Sequence, residues 1–124
     1  MKWEAWLLVG ALVAGALLRL PRLDLRPMHT DEAVHAVKFG ILLETGAYRY
    51  DRNEYHGPTL NYFTLLPAWL ASEKKLAQVT EVTLRIIPAL FGLCLILLLP
   101  LVWDIGLESV ACAALLTACS PAMV

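Results

Sequence analysis

Long apolar stretches alternate along the chain with one long polar segment. The first stretch, residues 3–20, contains only Glu4 and Arg19 as charged residues. A helix of that length measures about 27 Å, which is close to the hydrocarbon thickness of a bilayer. The pattern predicts an all-α membrane fragment with three spans, at 3–20, 84–103 and 109–124, joined by the polar segment 21–83 and a short polar turn after residue 103.

The first stretch is either a retained anchor or a cleaved signal peptide. Trp3 and Trp6 suit a membrane interface, and Arg19 can extend its side chain to the polar surface at the far end. Only Lys2 supplies a charge before the stretch, and no small-x-small cleavage site precedes Pro21. We therefore predict a retained anchor.

The second and third stretches differ in how they end. The second contains Pro88 and Pro100, which neighbouring helices can accommodate in membrane spans. The third reaches Val124 without a polar tail, a helix cap or an interfacial anchor. We therefore expect a larger membrane protein to continue beyond it, and we expect these 124 residues alone to be catalytically inactive. Small residues that permit close approach of helices are Gly10, Ala14, Ala111, Ala114 and Ala118.

Two helices are predicted within the polar segment. The first, near 31–45, has Thr30 as its expected N-cap and ends near Gly46. A loop with a turn at 51–53 follows it. The second helix, near 58–72, begins at Pro58 and contains Pro67 as a kink. It reaches about 22 Å, which is short for a span. We interpret it as an interfacial helix, with a fourth true span as the alternative.

Composition supports a membrane protein. Hydrophobic residues make up 59% of the chain, charged residues 17%, the mean hydropathy is +0.63 and the net charge is −1. This balance gives no electrostatic reason to expect a nucleic-acid partner. Cys94, Cys112 and Cys119 lie in apolar stretches and are interpreted as small core residues, not as disulfides or metal ligands.

The charges of the polar segment do not decide which side of the membrane it occupies. It has seven Lys and Arg residues, whereas the opposite side has Lys2 and the amino terminus. That count favours the cytoplasm by the positive-inside rule. However, the segment is near the length at which the rule weakens, and its eight carboxylates balance its charge.

The densest ionisable cluster lies just after the first stretch, in "MHTDEAVHAVKFG". Asp31 or Glu32 can act as a general base or hold a divalent cation such as Mg²⁺ or Mn²⁺. The alternative is that both acids only compensate the dipole at a helix start. His29 and His35 suggest a zinc site superficially, but no H-E-x-x-H pattern is present.

Residues suited to an anionic group follow in the same segment. His56 precedes the turn at Gly57 and Pro58, and Gly57 permits close backbone contact. Candidate phosphate-binding cations are Lys38, Arg49, Arg52 and Arg85. The alternative is ordinary juxtamembrane charge, with a belt of aromatic residues formed by Tyr48, Tyr50, Tyr55, Tyr62 and Trp69.

Three stretches carry a resemblance to a known family. They are "RLPRLDLRPMHTDEAVHAVKFGILLETG", "EYHGPTLNYFTLLPAWL" and "TLRIIPALFGLCLILL". Together they resemble the N-terminal third of the multi-span polyprenyl-phosphate-dependent glycosyltransferases of type-C fold, which include protein O-mannosyltransferases and aminoarabinose transferases of lipid A. The prokaryotic "flippase activity-associated" proteins of family 39 type are the most similar branch. The resemblance extends from Arg19 onward.

The resemblance implies a place and a role for the polar segment. In that family the first loop faces the outside of the plasma or inner membrane, and its helices form the floor of the active site. Asp31 matches the acidic residue taken as the base or acceptor-orienting group, with Glu32 beside it. His56 and Pro58 match a position by the lipid phosphate, although Gly57 departs from the family's His-Pro-Pro form. Arg85 matches an arginine that opens the next span.

The expected function is therefore transfer of a sugar from a polyprenyl-phosphate donor to a protein or lipid acceptor. Two alternatives stay open. One is a non-enzymatic flippase accessory or transporter component for lipid-linked sugars, and the other is a structural remnant. The sequence indicates neither the sugar nor the acceptor.

Overall fold

A computed structural model describes residues 2–21, 23–53 and 57–120 of the chain. Its regular structure is helical throughout those residues, which confirms the all-α class. The α-helices are α1 (Lys2–Arg19), α2 (Thr30–Thr45), α3 (Pro58–Leu70), α4 (Glu81–Leu98) and α5 (Leu107–Cys119), and short 3₁₀ helices cover Leu76–Gln78 and Leu99–Ile105.

Among the described residues, one helical stretch is both long and apolar enough to cross a membrane. It covers Glu81–Leu101. Ala5–Arg19 and Glu108–Cys119 are apolar but shorter. Length and composition alone also fit the core helix of a soluble protein, so they support one candidate span and no more.

Two compact units make up the chain. The terminal unit combines residues 1–22 with residues 88–124, and the middle unit comprises residues 23–87. The first residues of α4 thus belong to the middle unit and the rest of that helix to the terminal unit.

The core of the terminal unit is made mostly of small residues. Ala11 of α1, Ile96 of α4, and Ala114 and Ala118 of α5 are fully or almost fully buried. Alanine adds little volume between helices, so α1 and α5 can pack closely. Three of the small residues that the sequence singles out, Ala111, Ala114 and Ala118, are therefore buried within the chain, whereas Gly10 is exposed.

The prediction that the side chain of Arg19 extends to the polar surface is wrong. It is only 1% exposed. Its Nη1 donates to the carbonyls of Gly15 (3.3 Å) and Ala118 (2.9 Å), and its Nη2 donates to the carbonyl of Thr117. The last carbonyls of an α-helix have no partner within the helix. A cation is therefore favourable at the end of α5, both as a donor and against the helix dipole.

The second apolar stretch is not one α-helix from end to end. α4 ends at Leu98, and 3₁₀ geometry continues through Pro100 to Ile105. Proline lacks the amide hydrogen that the ladder needs and disfavours helical geometry in the residue before it. Pro88 lies inside α4, where the helix continues past it.

The prediction that the three cysteines lie in the core is wrong. Cys94, Cys112 and Cys119 are free thiols, and all three are exposed. Each lies on a helix whose buried positions are taken by other residues, such as Ile96 on α4 and Ala118 on α5.

The middle unit packs α2, α3 and the start of α4 around Phe39. Ala36, Phe39, Ala68 and Leu84 form its buried apolar cluster. Polar side chains are buried between α2 and α3 as well, where Thr64 Oγ1 lies 3.5 Å from His35 Nε2. The 3₁₀ helix Leu76–Gln78 lies against α2, because the amide of Leu76 donates to Glu44 Oε1 (2.9 Å).

Local signals set the ends of these helices, with one correction. The N-cap of α2 is His29, not Thr30. The left-handed Gly46 (φ 70°) ends α2, and Pro58 occupies the first turn of α3, both as predicted. α3 ends at Leu70, before the predicted residue 72, because the chain turns sharply at Ser72 (φ 59°).

Candidate functional site

Asp31 and Glu32 are neighbours in the first turn of α2 but have different surroundings. The side chain of Asp31 is 77% exposed, and its Oδ2 lies 3.8 Å from Nδ1 of His29. The side chain of Glu32 is 24% exposed and is held by three partners. Successive helical residues point about 100° apart, so one acid faces solvent while the other faces the fold.

Glu32 is the centre of an ion-pair network within the middle unit. Its Oε1 accepts from Arg26 (2.8 Å), and its Oε2 accepts from Arg85 (2.9 Å) and from the amide of His29 (3.0 Å). Arg85 also donates to the carbonyl of Leu23. The carboxylate thereby joins the segment before α2, the N-terminus of α2 and the start of α4.

The surroundings of Glu32 favour its ionised form. Partial burial raises its pKa, but the hydrogen bond from the His29 amide and those from Arg85 and Arg26, together with the charge of Arg85, outweigh that effect. The pKa of Glu32 is lowered from 4.5 to about 2. Glu32 is therefore a carboxylate at neutral pH.

A groove of about 770 Å³ lies along one face of α2 and the loop that follows it. Thr30, the residue before Asp31, lies at one end. The apolar side chains of the groove are Ala33, Val34, Val37 and Ile41, which recur at helical spacing. The loop closes the other side with Arg49, Tyr50, Asp51 and Arg52.

The charge of this groove is positive on balance. Lys38, Arg49 and Arg52 line it together with one acid, Asp51. The Lys38 ammonium is buried, whereas Arg49 and Arg52 are exposed. Asp51 accepts from the amide of Asn53 (2.8 Å), which forms the predicted turn. The arrangement thus combines an apolar wall with two exposed guanidinium groups.

The structure brings together some of the predicted site residues and separates others. Lys38 and Arg49 share the groove, whereas Arg85 is 8% exposed and pairs with Glu32. Pro58 begins α3 as an exposed residue and does not line the groove. His56 lies outside the described residues.

The described donors do not make up a divalent-metal site. Within those residues, no group of three or more His, Cys, Asp or Glu side chains is placed to hold a metal ion. Asp31 contacts the imidazole of His29 (3.8 Å), whereas Mg²⁺ prefers six oxygen ligands. A metal at Asp31 stays a prediction.

Two features of the site have weak signals in the sequence. Arg26 pairs with Glu32 across Pro27, at a spacing that no helical period marks. The carbonyl of Leu23 that holds Arg85 lies 62 residues away from it in the sequence. Neither contact follows from local pattern.

Comparison of the chain with models of known protein families, with curated proteins and with solved structures finds no match.

Proposed function

We propose that the chain is the N-terminal part of a membrane glycosyltransferase that moves a sugar from a polyprenyl-phosphate donor to a hydroxyl group of a protein or lipid acceptor. The observation that carries the proposal is the groove along α2, whose lining starts at Thr30, the residue before the exposed Asp31. The resemblance of the sequence to the type-C family is the second support.

The composition of the groove suits an amphipathic anion. A polyprenyl phosphate has an apolar chain and a charged head, and the groove offers Val34, Val37 and Ile41 to the first and Arg49 and Arg52 to the second. Guanidinium groups bind phosphate oxygens with two parallel hydrogen bonds. They also stabilise the charge that develops on the phosphate as the leaving group departs.

Asp31 is the proposed general base. The oxygen of the acceptor hydroxyl attacks the anomeric carbon of the sugar while its proton passes to the Asp31 carboxylate. The bond between that carbon and the phosphate oxygen breaks, and polyprenyl phosphate leaves with the electron pair. No oxidant or other reactant is needed for this exchange.

Glu32 serves this chemistry as a positioning residue. Its oxygens already accept from Arg26, Arg85 and the His29 amide, so it has little capacity left for an acceptor proton. By fixing the first turn of α2 it fixes the backbone of Asp31. Arg85 accordingly acts through Glu32 and not on the phosphate.

A multi-pass arrangement in the plasma or inner membrane, with the polar segment outside, completes the proposal. The candidate span Glu81–Leu101 and the shorter apolar helices are consistent with it. The shorter apolar helices would then be accommodated by local thinning of the bilayer or by packing against neighbouring helices.

Exchange of Asp31 for asparagine is the decisive test. The rate of sugar transfer is measured in membranes from cells that express the complete reading frame containing this chain. Asp31→Asn should lower the rate by about 10²- to 10⁴-fold, because asparagine cannot take the proton. The matched control is Asp24→Asn, an exposed acid outside the groove. An unchanged rate in Asp31→Asn would refute the role of the base.

The rival function is a flippase accessory that binds the donor but does not react. Two measurements address it: the affinity for the donor tests the groove cations, and the presence or absence of sugar transfer separates the accessory from the enzyme. Arg49→Ala should raise the KM for the donor by about tenfold, since it removes one charge-assisted contact to phosphate. Translocation of labelled polyprenyl lipid without any sugar transfer would favour the accessory over the enzyme.

Labelling of an introduced thiol tests the orientation. Ala47 is exposed in the loop after α2, and Ala47→Cys places a thiol there. Because Cys94, Cys112 and Cys119 are exposed as well, the three are first replaced by serine. Labelling of intact cells by an impermeant maleimide is expected, and labelling only after lysis would contradict the outside assignment.

A further inference from the structure

A second groove, of about 480 Å³, lies in the middle unit where α3 ends and α4 begins. Most of its wall is apolar and includes Leu70, Val82 and Ile86. Three polar residues also line it: Glu73, Thr80 and Thr83. It shares no residue with the groove along α2.

Glu73 reaches this groove because of the way α3 ends. The amide of Glu73 donates to the carbonyl of Ala68 (2.9 Å), and the amide of Ser72 donates to the carbonyl of Trp69 (3.1 Å). These two bonds form a Schellman motif with Ser72 in the left-handed conformation (φ 59°). The turn directs the chain back under the helix, so that Glu73 becomes buried.

The carboxylate of Glu73 is unusual in its partners. The residue is 8% exposed, and its Oε1 accepts from the hydroxyl of Thr83 (2.9 Å). Its Oε2 is buried and accepts no hydrogen bond from the residues that the structure describes. Lys74, the next residue, is exposed. A buried carboxylate oxygen without a donor is costly.

The two threonines are arranged as donors toward this carboxylate. Because the Thr83 hydroxyl gives its hydrogen to Glu73, the Thr80 hydroxyl, 3.0 Å away, donates to Thr83 in turn. The amide of Thr83 donates to Thr80 Oγ1 (3.2 Å). Both hydroxyl hydrogens are therefore committed, and neither can satisfy Oε2.

We propose that this groove binds a primary alkylammonium group. The ammonium donates to the Glu73 carboxylate, and its apolar chain lies against Leu70, Val82 and Ile86. Glu73 lines the groove, and its Oε2 has no donor among the described residues, so the ammonium supplies the hydrogen bond that this oxygen lacks. The proposal is independent of sugar transfer and goes beyond it.

The composition of the groove favours an organic cation over a metal ion. One carboxylate and two hydroxyl oxygens that already take part in hydrogen bonds are too few ligands for Mg²⁺ or Ca²⁺. An alkylammonium needs fewer acceptors, and its chain removes apolar surface from water as it enters.

Binding of hexylammonium to the 124-residue chain in a non-ionic detergent tests the proposal. Amide resonances of Glu73 and Thr83 are followed by NMR during the titration, with hexanol as the uncharged probe of similar length. Hexylammonium should shift them saturably, with a Kd about 10- to 100-fold below that of hexanol, because only the cation forms a charge-assisted bond. Equal affinity for the two probes, or no saturable shift, would overturn the proposal.

Two variants locate the interaction. Glu73→Gln should weaken hexylammonium binding by about 10- to 100-fold and leave hexanol binding unchanged. The matched control is Glu81→Gln, since Glu81 is an exposed acid at the start of α4 that does not line the groove. Loss of binding in Glu81→Gln but not in Glu73→Gln would overturn the assignment. Circular dichroism shows whether Glu73→Gln keeps its helix content. If it does not, the comparison of hexylammonium with hexanol on the unaltered chain still tests the proposal.

The natural source of the ammonium is either a lipid head group or a soluble amine. Nanodiscs of ethanolamine lipid offer a primary ammonium, whereas those of choline lipid offer none with N–H donors. Weaker hexylammonium binding in the ethanolamine discs identifies the lipid as the occupant. Equal binding in both discs supports a soluble amine.

Discussion

In the terminal unit, buried alanines of α1 and α5 form most of the core, and one arginine satisfies the end of a helix. In the middle unit, Phe39 lies at the centre of the apolar cluster, while carboxylates link its segments. The first unit thus depends mainly on close packing of small side chains, and the second on carboxylates that bind the ends of its segments. Both units are helical, but different contacts stabilise them. Substitutions at those contacts should therefore lower the stability of each unit for a different reason.

Arg19→Ala should produce the largest loss of stability. It removes a buried guanidinium and leaves the carbonyls of Thr117 and Ala118 without their donor. We expect the free energy of unfolding to fall by about 3 kcal/mol. Denaturant unfolding in mild detergent measures the change, and Arg49→Ala, at an exposed arginine, is the control with an expected change below about 0.5 kcal/mol. Equal changes in the two variants would contradict the claim that the bonds of Arg19 to the end of α5 stabilise the terminal unit.

Gly40→Ala should disrupt the close approach of α2 to the 3₁₀ helix Leu76–Gln78 in the middle unit. A Cβ at Gly40 would lie 2.8 Å from Cβ of Leu76, an atom that cannot move without the backbone of the 3₁₀ helix. We expect a loss of about 1–3 kcal/mol, although alanine is the better helix former.

Gly10→Ala is the matched control for Gly40→Ala. Apart from its chain neighbours and the backbone of its own helix, no atom of the described residues lies within 4 Å of a Cβ at Gly10. It should stabilise α1 by up to about 1 kcal/mol through helix propensity alone. Thermal unfolding of both variants gives the difference, and a loss at Gly10 as large as that at Gly40 would contradict the contact with Leu76.

Acid should weaken the middle unit through Glu32. Its pKa of about 2 in the folded chain lies below the ordinary 4.5, so the folded state is favoured when Glu32 is ionised. That contribution is complete above pH 4.5 and is lost as the pH falls toward 2. Glu32→Gln should remove this part of the pH dependence while the rest of the profile persists. The free energy of unfolding, measured between pH 2 and pH 6, tests it, and identical profiles would contradict the network.

Ser72→Gly should give the smallest effect, and it should be a gain. A non-glycine residue in the left-handed conformation costs about 1–2 kcal/mol. Glycine avoids this cost, but it loses more conformational freedom on folding, so the net gain is smaller. We expect a gain of up to about 1 kcal/mol. Ala71→Gly is the control, because Ala71 is right-handed (φ −81°) and should lose stability instead. The midpoint of thermal unfolding measures both, and equal signs would show that the turn after α3 is not strained.

The sequence determined the helical class, because apolar stretches of this length and spacing satisfy their backbone only as helices. It also determined two helix ends. Gly46 ends α2 because glycine adopts positive φ without strain, and Pro58 begins α3 because its fixed φ and missing amide suit the first turn. Such signals act within one or two residues, so they are visible in the sequence itself.

Only the tertiary structure decided which charged residues are structural. Arg19 lies at a helix end in the sequence, yet its position in the fold brings it to Thr117 and Ala118. Glu32 and Arg85 are separated by 53 residues, and the burial of Glu73 depends on a turn and on Thr83 of another helix. No period or local propensity encodes these contacts, because they depend on how helices that are distant in sequence pack together. The same packing distinguishes exposed Asp31 from engaged Glu32.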